Sequence, residues 1–325
     1  MDTSRTLHHD PSVVSLSIQT NIPLADKNWF QTGGNARYYC RPKNSTDFAQ
    51  ALDFAQRNKL DIFILGQGAN ILISDDGFEG LVIHPEITDI SIARIDATTA
   101  HVTAGAGVTI HDLIVHCLNN QLLGLEEFSG IPGTVGGSVY INLHYYDFLL
   151  EQFLVHAHII DRTTGEISTV EPSWFNFGYD QSKLQDKNYY LVSATFKVRC
   201  ATELETAFAQ GRREEIIRHR HKRFPTQRTC GSFFRNFLPH EVENTEKRLI
   251  FVAYYLDKIG VKGELTIGDA VVSHQHANMI VNKGHATSTD IIQLAQKMQQ
   301  LVMQQFGIKP HAECQLVGFK NDPLA

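Results

Sequence analysis

An α+β fold is the expectation for this chain, and three features of the sequence carry it. Short apolar runs that end in glycine turns alternate with helical stretches from residue 46 to residue 198. Beyond about 198–202 the character changes, and a helix with a strongly basic end opens a second region. A last strand-like run, HAECQLVG at 311–318, follows the final helix.

The elements can be justified in order. TDFAQALDFAQRNK, 46–59, sets Phe48, Leu52 and Phe54 among polar residues at near-helical spacing and ends in basic residues, so a helix is expected. Ile62 to Leu65 and LVIH, the latter after the GFEG turn, read as strands of a small strand-helix-strand unit. HVTAGAG at 101–107 is a strand closing in a glycine turn. TIHDLIVHCLNNQLL then places Ile110, Leu113, Ile114 and Leu118 along one stripe. FLVHAHIID and YYLVSATFKV, 153–161 and 189–198, are expected to share a sheet. ELETAFAQGRREEIIRHRHKR, 203–223, leads with acids and closes with bases, an order that suits the helix dipole. STDIIQLAQKMQQLVMQQF, 288–306, is a second amphipathic helix with a cap at Ser288 or Thr289. The division that follows is an N-terminal extension at 1–20, a front module at 21–200, a smaller α+β domain at 201–305, and a strand and tail at 306–325.

Composition narrows the function. At 325 residues and 42% hydrophobic, the chain can bury two or three cores. A formal net charge of -6 argues against a general nucleic-acid binder, which needs a broad basic surface. No run approaches the 18 apolar residues of a membrane span, and the amino terminus lacks a basic start followed by an apolar run. The 5 cysteines include no CxxC pair, which fits free thiols in a cytoplasmic protein, and a monomer is expected. The 16 histidines include no HExxH pattern, so they are assigned to solvent, packing or anion contacts rather than to a metal.

Three glycine clusters follow apolar strands. LGQGANILIS carries Gly66, Gly68 and Asn70, but the helix of a dinucleotide fingerprint is replaced by another β-like run. SGIPGTVGGSV carries Gly130, Gly133, Gly136 and Gly137 in a long irregular segment, and AGAG closes the strand at 104–107. Together they read either as the lining of one groove for a diphosphate or as three ordinary turns. Ser232, in RTCGSFFRN, has no nucleophile elbow around it, because phenylalanines follow it. It is either a turn hydroxyl or an acid that needs only placement.

In combination these segments resemble the UDP-N-acetylenolpyruvoylglucosamine reductases of bacterial peptidoglycan synthesis. The matches run in order from NWFQTGGNARYY at 28–39, through LGQGANILISDDGFEGLVI, AGAGVTIHDLI, GLEEFSGIPGTVGGSVYIN, FGYDQS, CGSFFRN and IGDAVVSHQHANMIVNKGHATSTDI, to HAECQLVG. They look like the shorter form of the family. The resemblance implies a two-part FAD-binding module of the vanillyl-alcohol oxidase type, noncovalent FAD, NADPH as reductant and a UDP-sugar substrate whose enolpyruvyl ether is reduced to give UDP-N-acetylmuramate. It places the FAD diphosphate on the loops at 66–70 and 130–137. It also makes Ser232 the proton donor, Glu313 its acidic helper and Tyr179 a substrate contact.

Two positions depart from the family pattern. Asp180 stands where an arginine would meet the substrate carboxylate, and NLHYYD at 142–147 replaces a glycine-containing NAGAYG. An acid at 180 repels that carboxylate. Lys183 and Arg228 are the neighbouring bases that could substitute.

Overall fold

The computed structural model describes residues 16–325, so most of the expected N-terminal extension lies outside the described residues. Strand β1 (Ile18–Pro23) pairs antiparallel with β2 (Asn35–Cys40). Helix α1 (Ser45–Arg57) starts under Asn44, whose side chain accepts the Asp47 N–H at 2.9 Å. Such a cap contributes about 1 kcal/mol. The helix buries Phe48, Ala51, Leu52 and Ala55 on the sheet formed by β2, β3 (Ile62–Ile64) and β5 (Phe78–Ile83), in which β5 lies parallel to both neighbours. Strand β4 (Ile71–Ile73) stands outside that sheet.

The second unit is built on strands β6 (Ile90–Arg94) and β7 (Thr99–Gly105), helix α2 (Ile110–Asn119), β8 (Leu122–Leu123) and the short helix α3 (Val135–Tyr140). A hairpin of β9 (His144–Tyr145) and β10 (Phe148–Leu149) follows, then β11 (Leu154–Asp161), β12 (Ile167–Val170) and β13 (Tyr189–Cys200). The sheet runs β12-β11-β13-β7-β6, with β8 also on β13. The predicted partnership of 153–161 with 189–198 is present as the antiparallel β11–β13 pair. Strand β13 reads as one apolar run because it serves two cores. Tyr190 and Val192 pack with α1, whereas Ala194, Phe196 and Val198 pack under α2.

The remainder comprises helices α4 (Glu203–Arg223), α5 (Val252–Lys258) and α6 (Ser288–Phe306), the antiparallel sheet β14 (Thr266–Ile267), β15 (Ala270–Val272) and β16 (Ile280–Asn282), and strand β17 (Gln315–Val317). Helix α4 lies against α2 and sends Ala209 into the second unit's core. The cap of α6 is Thr287 rather than Ser288 or Thr289, because it is the Thr287 hydroxyl that accepts the Asp290 N–H, at 3.0 Å; the N–H groups of Ser288 and Thr289 donate to the Asp75 carboxylate at 2.8 and 3.1 Å. Strand β17 returns to the first unit and pairs parallel with β4, while Phe30 and Leu72 enter the core beneath α6. That return brings the end of the chain to the first glycine loop. No helix among the described residues is long and apolar enough to cross a membrane.

Candidate active site

A cleft of about 720 Å³ runs between the three units. Gly66, Gly68, Asn70, Gly130, Gly133, Gly136 and Gly137 all line it, and so do Ser232, Asp180 and Glu313. Residues spread over most of the sequence therefore face one space.

The glycines divide by what they do. A Cβ at Gly68 would lie 2.6 Å from the Asn28 Cα, one at Gly66 2.8 Å from the Thr134 hydroxyl, and one at Gly136 3.1 Å from the Ala106 carbonyl. These three let backbone segments close on one another. At Gly133 and Gly137 a Cβ would meet only the Ser138 hydroxyl at 3.7 Å and the Thr134 hydroxyl at 3.6 Å, so these two leave space in the cleft.

The segment 130–138 is less irregular than its sequence suggests, since Thr134 caps α3 and puts Gly136 and Gly137 in a helix. Consequently its N–H groups are mostly engaged. Gly133 donates to the Gln67 side chain at 2.6 Å, Gly136 to the Ala106 carbonyl at 2.9 Å and Gly137 to the Thr134 hydroxyl at 3.2 Å. In the first loop the balance is reversed. Among the described residues no protein acceptor takes the N–H of Gly66, Gly68 or Asn70, and the buried Asn70 Oδ1 also lacks a partner. Unpaired donors at the mouth of a glycine-lined cleft fit an anionic diphosphate, so the residues present suit FAD. The second loop contributes clearance and the first contributes donors.

Ser232 is held by its neighbours. Phe233 and Phe234 are fully buried, and the Phe233 and Phe234 N–H groups donate to the Asn278 backbone and side-chain oxygens at 2.8 and 3.0 Å. Gly231, at φ 80, makes the turn that admits the segment, and Ser232 bridges across to Met279. Glu313 arrives from the returning strand. Its N–H donates to the Phe233 carbonyl at 2.9 Å, while Gln315, two residues on, donates to the Asn70 carbonyl at 3.1 Å. One short segment is thus tied both to the serine and to the glycine loop.

Burial, together with the neighbouring Asp180, pushes the Glu313 carboxyl up to about 8, so it carries its proton at neutral pH. Burial likewise raises Asp180, against the opposing influence of His144 and Arg235. Tyr179 is not among the residues that line the cleft and is half exposed, but its hydroxyl lies 3.3 Å from the Asn236 amide, and partial burial with Asp180 and Glu313 nearby pushes its phenol up to about 12.

Lys183 and Arg228 are not brought to the cleft. The Lys183 ammonium lies 4.6 Å over the Trp174 ring, and the Arg228 guanidinium donates to the Lys283 carbonyl at 3.3 Å. The basic residues around 218–228 could meet the uridine diphosphate on sequence grounds, without any one singled out; of these Arg220 lines the cleft, donates to the Gly130 carbonyl at 3.2 Å and stacks over Tyr145 at 5.4 Å. Its place in the basic run 218–228 was the available signal. His144, in the divergent NLHYYD stretch, also lines the cleft and was not singled out from sequence.

Known proteins match the whole chain. Residues 36–171 match the FAD binding domain family model, and residues 224–317 match that of the UDP-N-acetylenolpyruvoylglucosamine reductase C-terminal domain. The UDP-N-acetylenolpyruvoylglucosamine reductase of Synechococcus sp. (strain JA-3-3Ab) is 33% identical, over 100% of this chain and 99% of its own length. That of Lactobacillus acidophilus is 31% identical over 94% and 97%. The crystal structure of the Thermus caldophilus UDP-N-acetylenolpyruvylglucosamine reductase superposes with a TM-score of 0.73 at 23% identity, covering 93% of this chain and 98% of that one, and so shares its fold. Similarity that extends over full length, in both the FAD-binding region and the C-terminal region, means that this chain belongs to the UDP-N-acetylenolpyruvoylglucosamine reductase family.

Proposed function

We propose that this protein is an NADPH-dependent flavoenzyme that reduces the enolpyruvyl ether of a UDP-N-acetylglucosamine to UDP-N-acetylmuramate. The observation that carries the reading is the meeting of Ser232 and Glu313 with the unpaired N–H groups of Gly66, Gly68 and Asn70 in one cleft. Residues 21–200 form the FAD-binding module, 201–305 the substrate-binding domain, and 306–325 the strand and tail that supply Glu313. The enzyme acts in the cytoplasm as a monomer with noncovalent FAD.

The N–H groups of Gly66, Gly68 and Asn70 would hold the FAD diphosphate, and the flavin would supply hydride chemistry with NADPH as reductant. The chain's own residues manage the proton and the charge. An enol ether is electron-rich and accepts hydride at its terminal carbon poorly unless its carboxylate is held by donors that stabilise the negative charge developing on the adjacent carbon, which then takes up a proton. Ser232, followed by two buried phenylalanines whose N–H groups are tied to Asn278, would give that proton without ever acting as a nucleophile. Glu313, protonated at neutral pH, supplies a hydroxyl rather than a second negative charge beside it. Tyr179, also in its neutral form, offers a hydroxyl at the substrate edge.

The test is to mix photoreduced enzyme anaerobically with the enolpyruvyl sugar nucleotide and follow flavin absorbance. Reoxidation with appearance of the lactyl ether supports the reading. Binding without turnover refutes it in favour of a binding protein, and failure to bind points to another substrate.

A further inference from the structure

The two places where the sequence departs from its family are one site in three dimensions. Asp180 lies in the segment 177–182 and His144 in the segment 142–147, and the chain bolts these together. The Asn142 amide donates to the Gly178 carbonyl at 3.3 Å, and the Tyr140 carbonyl, two residues before Asn142, accepts from the Ser182 hydroxyl at 2.7 Å and the Gln185 amide at 3.4 Å. Within that frame the His144 Nδ1 stands 3.5 Å from the Asp180 carboxylate, and the His144 ring centre is 4.8 Å from that of Tyr179. Both His144 and Asp180 line the cleft that holds Ser232 and Glu313.

We propose that His144, held as an imidazolium by Asp180, binds the substrate's enolpyruvyl carboxylate through its free Nε2–H. The proposal rests on the function argued above and names the group that meets the substrate's carboxylate. Asp180 is then a positioning residue, not a repelling one, because its charge is paired with the histidine. Asp180 Oδ2 has no protein partner and Oδ1 faces the imidazole, so the aspartate's only cation contact within 4 Å among the described residues is His144.

Three other bases are engaged elsewhere or neutral. Arg220 is committed to the Gly130 carbonyl and the Tyr145 ring, burial drives His276 down to about 4 and leaves it neutral, and Arg235 is clamped on both oxygens of Glu241 at 2.7 and 2.8 Å. Lys187 and His221 also line the cleft, but among the described residues neither is hydrogen-bonded or ion-paired to Asp180, Ser232 or Glu313. The groups that face the pair are Tyr179 from its own segment, Glu313 from the returning strand and Arg235 from the Ser232 segment. With Tyr179 and Glu313 both neutral at neutral pH, neither adds a charge beside the pair.

The experiment compares two ligands on oxidised holoenzyme by the change each makes in flavin absorbance: the enolpyruvyl sugar nucleotide, and UDP-N-acetylglucosamine, which lacks the carboxylate. His144→Gln should weaken the first by about 10- to 100-fold, the range of a charge-assisted hydrogen bond, and leave the second unchanged. His144→Arg should restore the difference. Asp180→Asn, which removes the counter-charge, should move the alkaline loss of carboxylate-ligand affinity to lower pH. FAD content is measured on each variant to confirm the folded site. Equal weakening of both ligands by His144→Gln, or a selective loss in Lys187→Met with none in His144→Gln, overturns the proposal while parental turnover leaves the function standing. A parent that neither binds nor reduces the enolpyruvyl ligand overturns both.

Discussion

Gly136 and Gly137 are adjacent, both line the cleft and both are helical, yet substitution should affect them in opposite ways. A Cβ on Gly136 would stand 3.1 Å from the Ala106 carbonyl oxygen and 3.3 Å from the Ala106 Cβ. The same residue's N–H donates to that carbonyl at 2.9 Å, so the contact cannot relax without stretching the bond. Gly136→Ala should therefore cost about 1–3 kcal/mol, the usual penalty for overpacking. A Cβ on Gly137 meets only the Thr134 hydroxyl at 3.6 Å, an ordinary contact, and the residue sits inside a helix. Gly137→Leu should hold or raise the stability of the cofactor-free protein, by up to about 1 kcal/mol, because leucine loses less chain entropy in a helix than glycine. The same leucine would fill the space that Gly137 leaves open and should displace FAD. The assay is urea unfolding of both cofactor-stripped variants, with flavin content after purification read from visible absorbance. A folded Gly137→Leu protein that retains full FAD would refute the assignment of this space to the cofactor, and a Gly136→Ala protein as stable as the parent would refute the packing argument.

Three further outcomes are expected. Ser232→Ala should leave reduction of the flavin by NADPH nearly intact and slow its reoxidation by the enolpyruvyl substrate by about 10²-fold or more; stopped-flow absorbance separates the halves, and an unchanged second half removes Ser232 from catalysis. Denaturing the purified protein should release the yellow chromophore from the chain, whereas a chromophore that stays with it would mean a covalent flavin. Glu313 has a carboxyl pKa raised on folding from 4.5 to about 8, so the folded state holds the proton more tightly than the unfolded one. Its contribution is therefore favourable at low pH and lost as pH rises across that window. Glu313→Gln should flatten the fall in stability between those values, as followed by thermal unfolding against pH, and an unaltered slope would mean that the carboxyl is not desolvated.

Sequence alone determined the elements whose signal is local. Helices α1, α2, α4 and α6 announce themselves by apolar spacing and by capping residues, and the strand pair β11–β13 by apolar runs longer than a turn can hold. It also determined which glycines and which serine to inspect, because their spacing survives in order along the chain. It did not show what each glycine does. Whether a missing Cβ serves packing, as at Gly68, or leaves room, as at Gly137, depends on which distant backbone lies opposite, and that is a property of the fold. Helix α3 escaped notice because two glycines dominate its six residues, and only the Thr134 cap and the Ala106 carbonyl make it worth forming.

The substitute for the missing arginine was likewise hidden from sequence. Lys183 and Arg228 are near Asp180 or Ser232 along the chain, but one turns onto Trp174 and the other onto the Lys283 carbonyl. His144 is 36 residues from Asp180 in sequence, the same separation as the Asn142 and Gly178 that are hydrogen-bonded beside them. Glu313 reaches the serine only because the last strand crosses back to β4, a parallel pairing of residues more than 240 positions apart. Local periodicity carries no record of such long-range closures, so the identity of the site's residues came from sequence while their protonation, their partners and their division of labour came from tertiary structure.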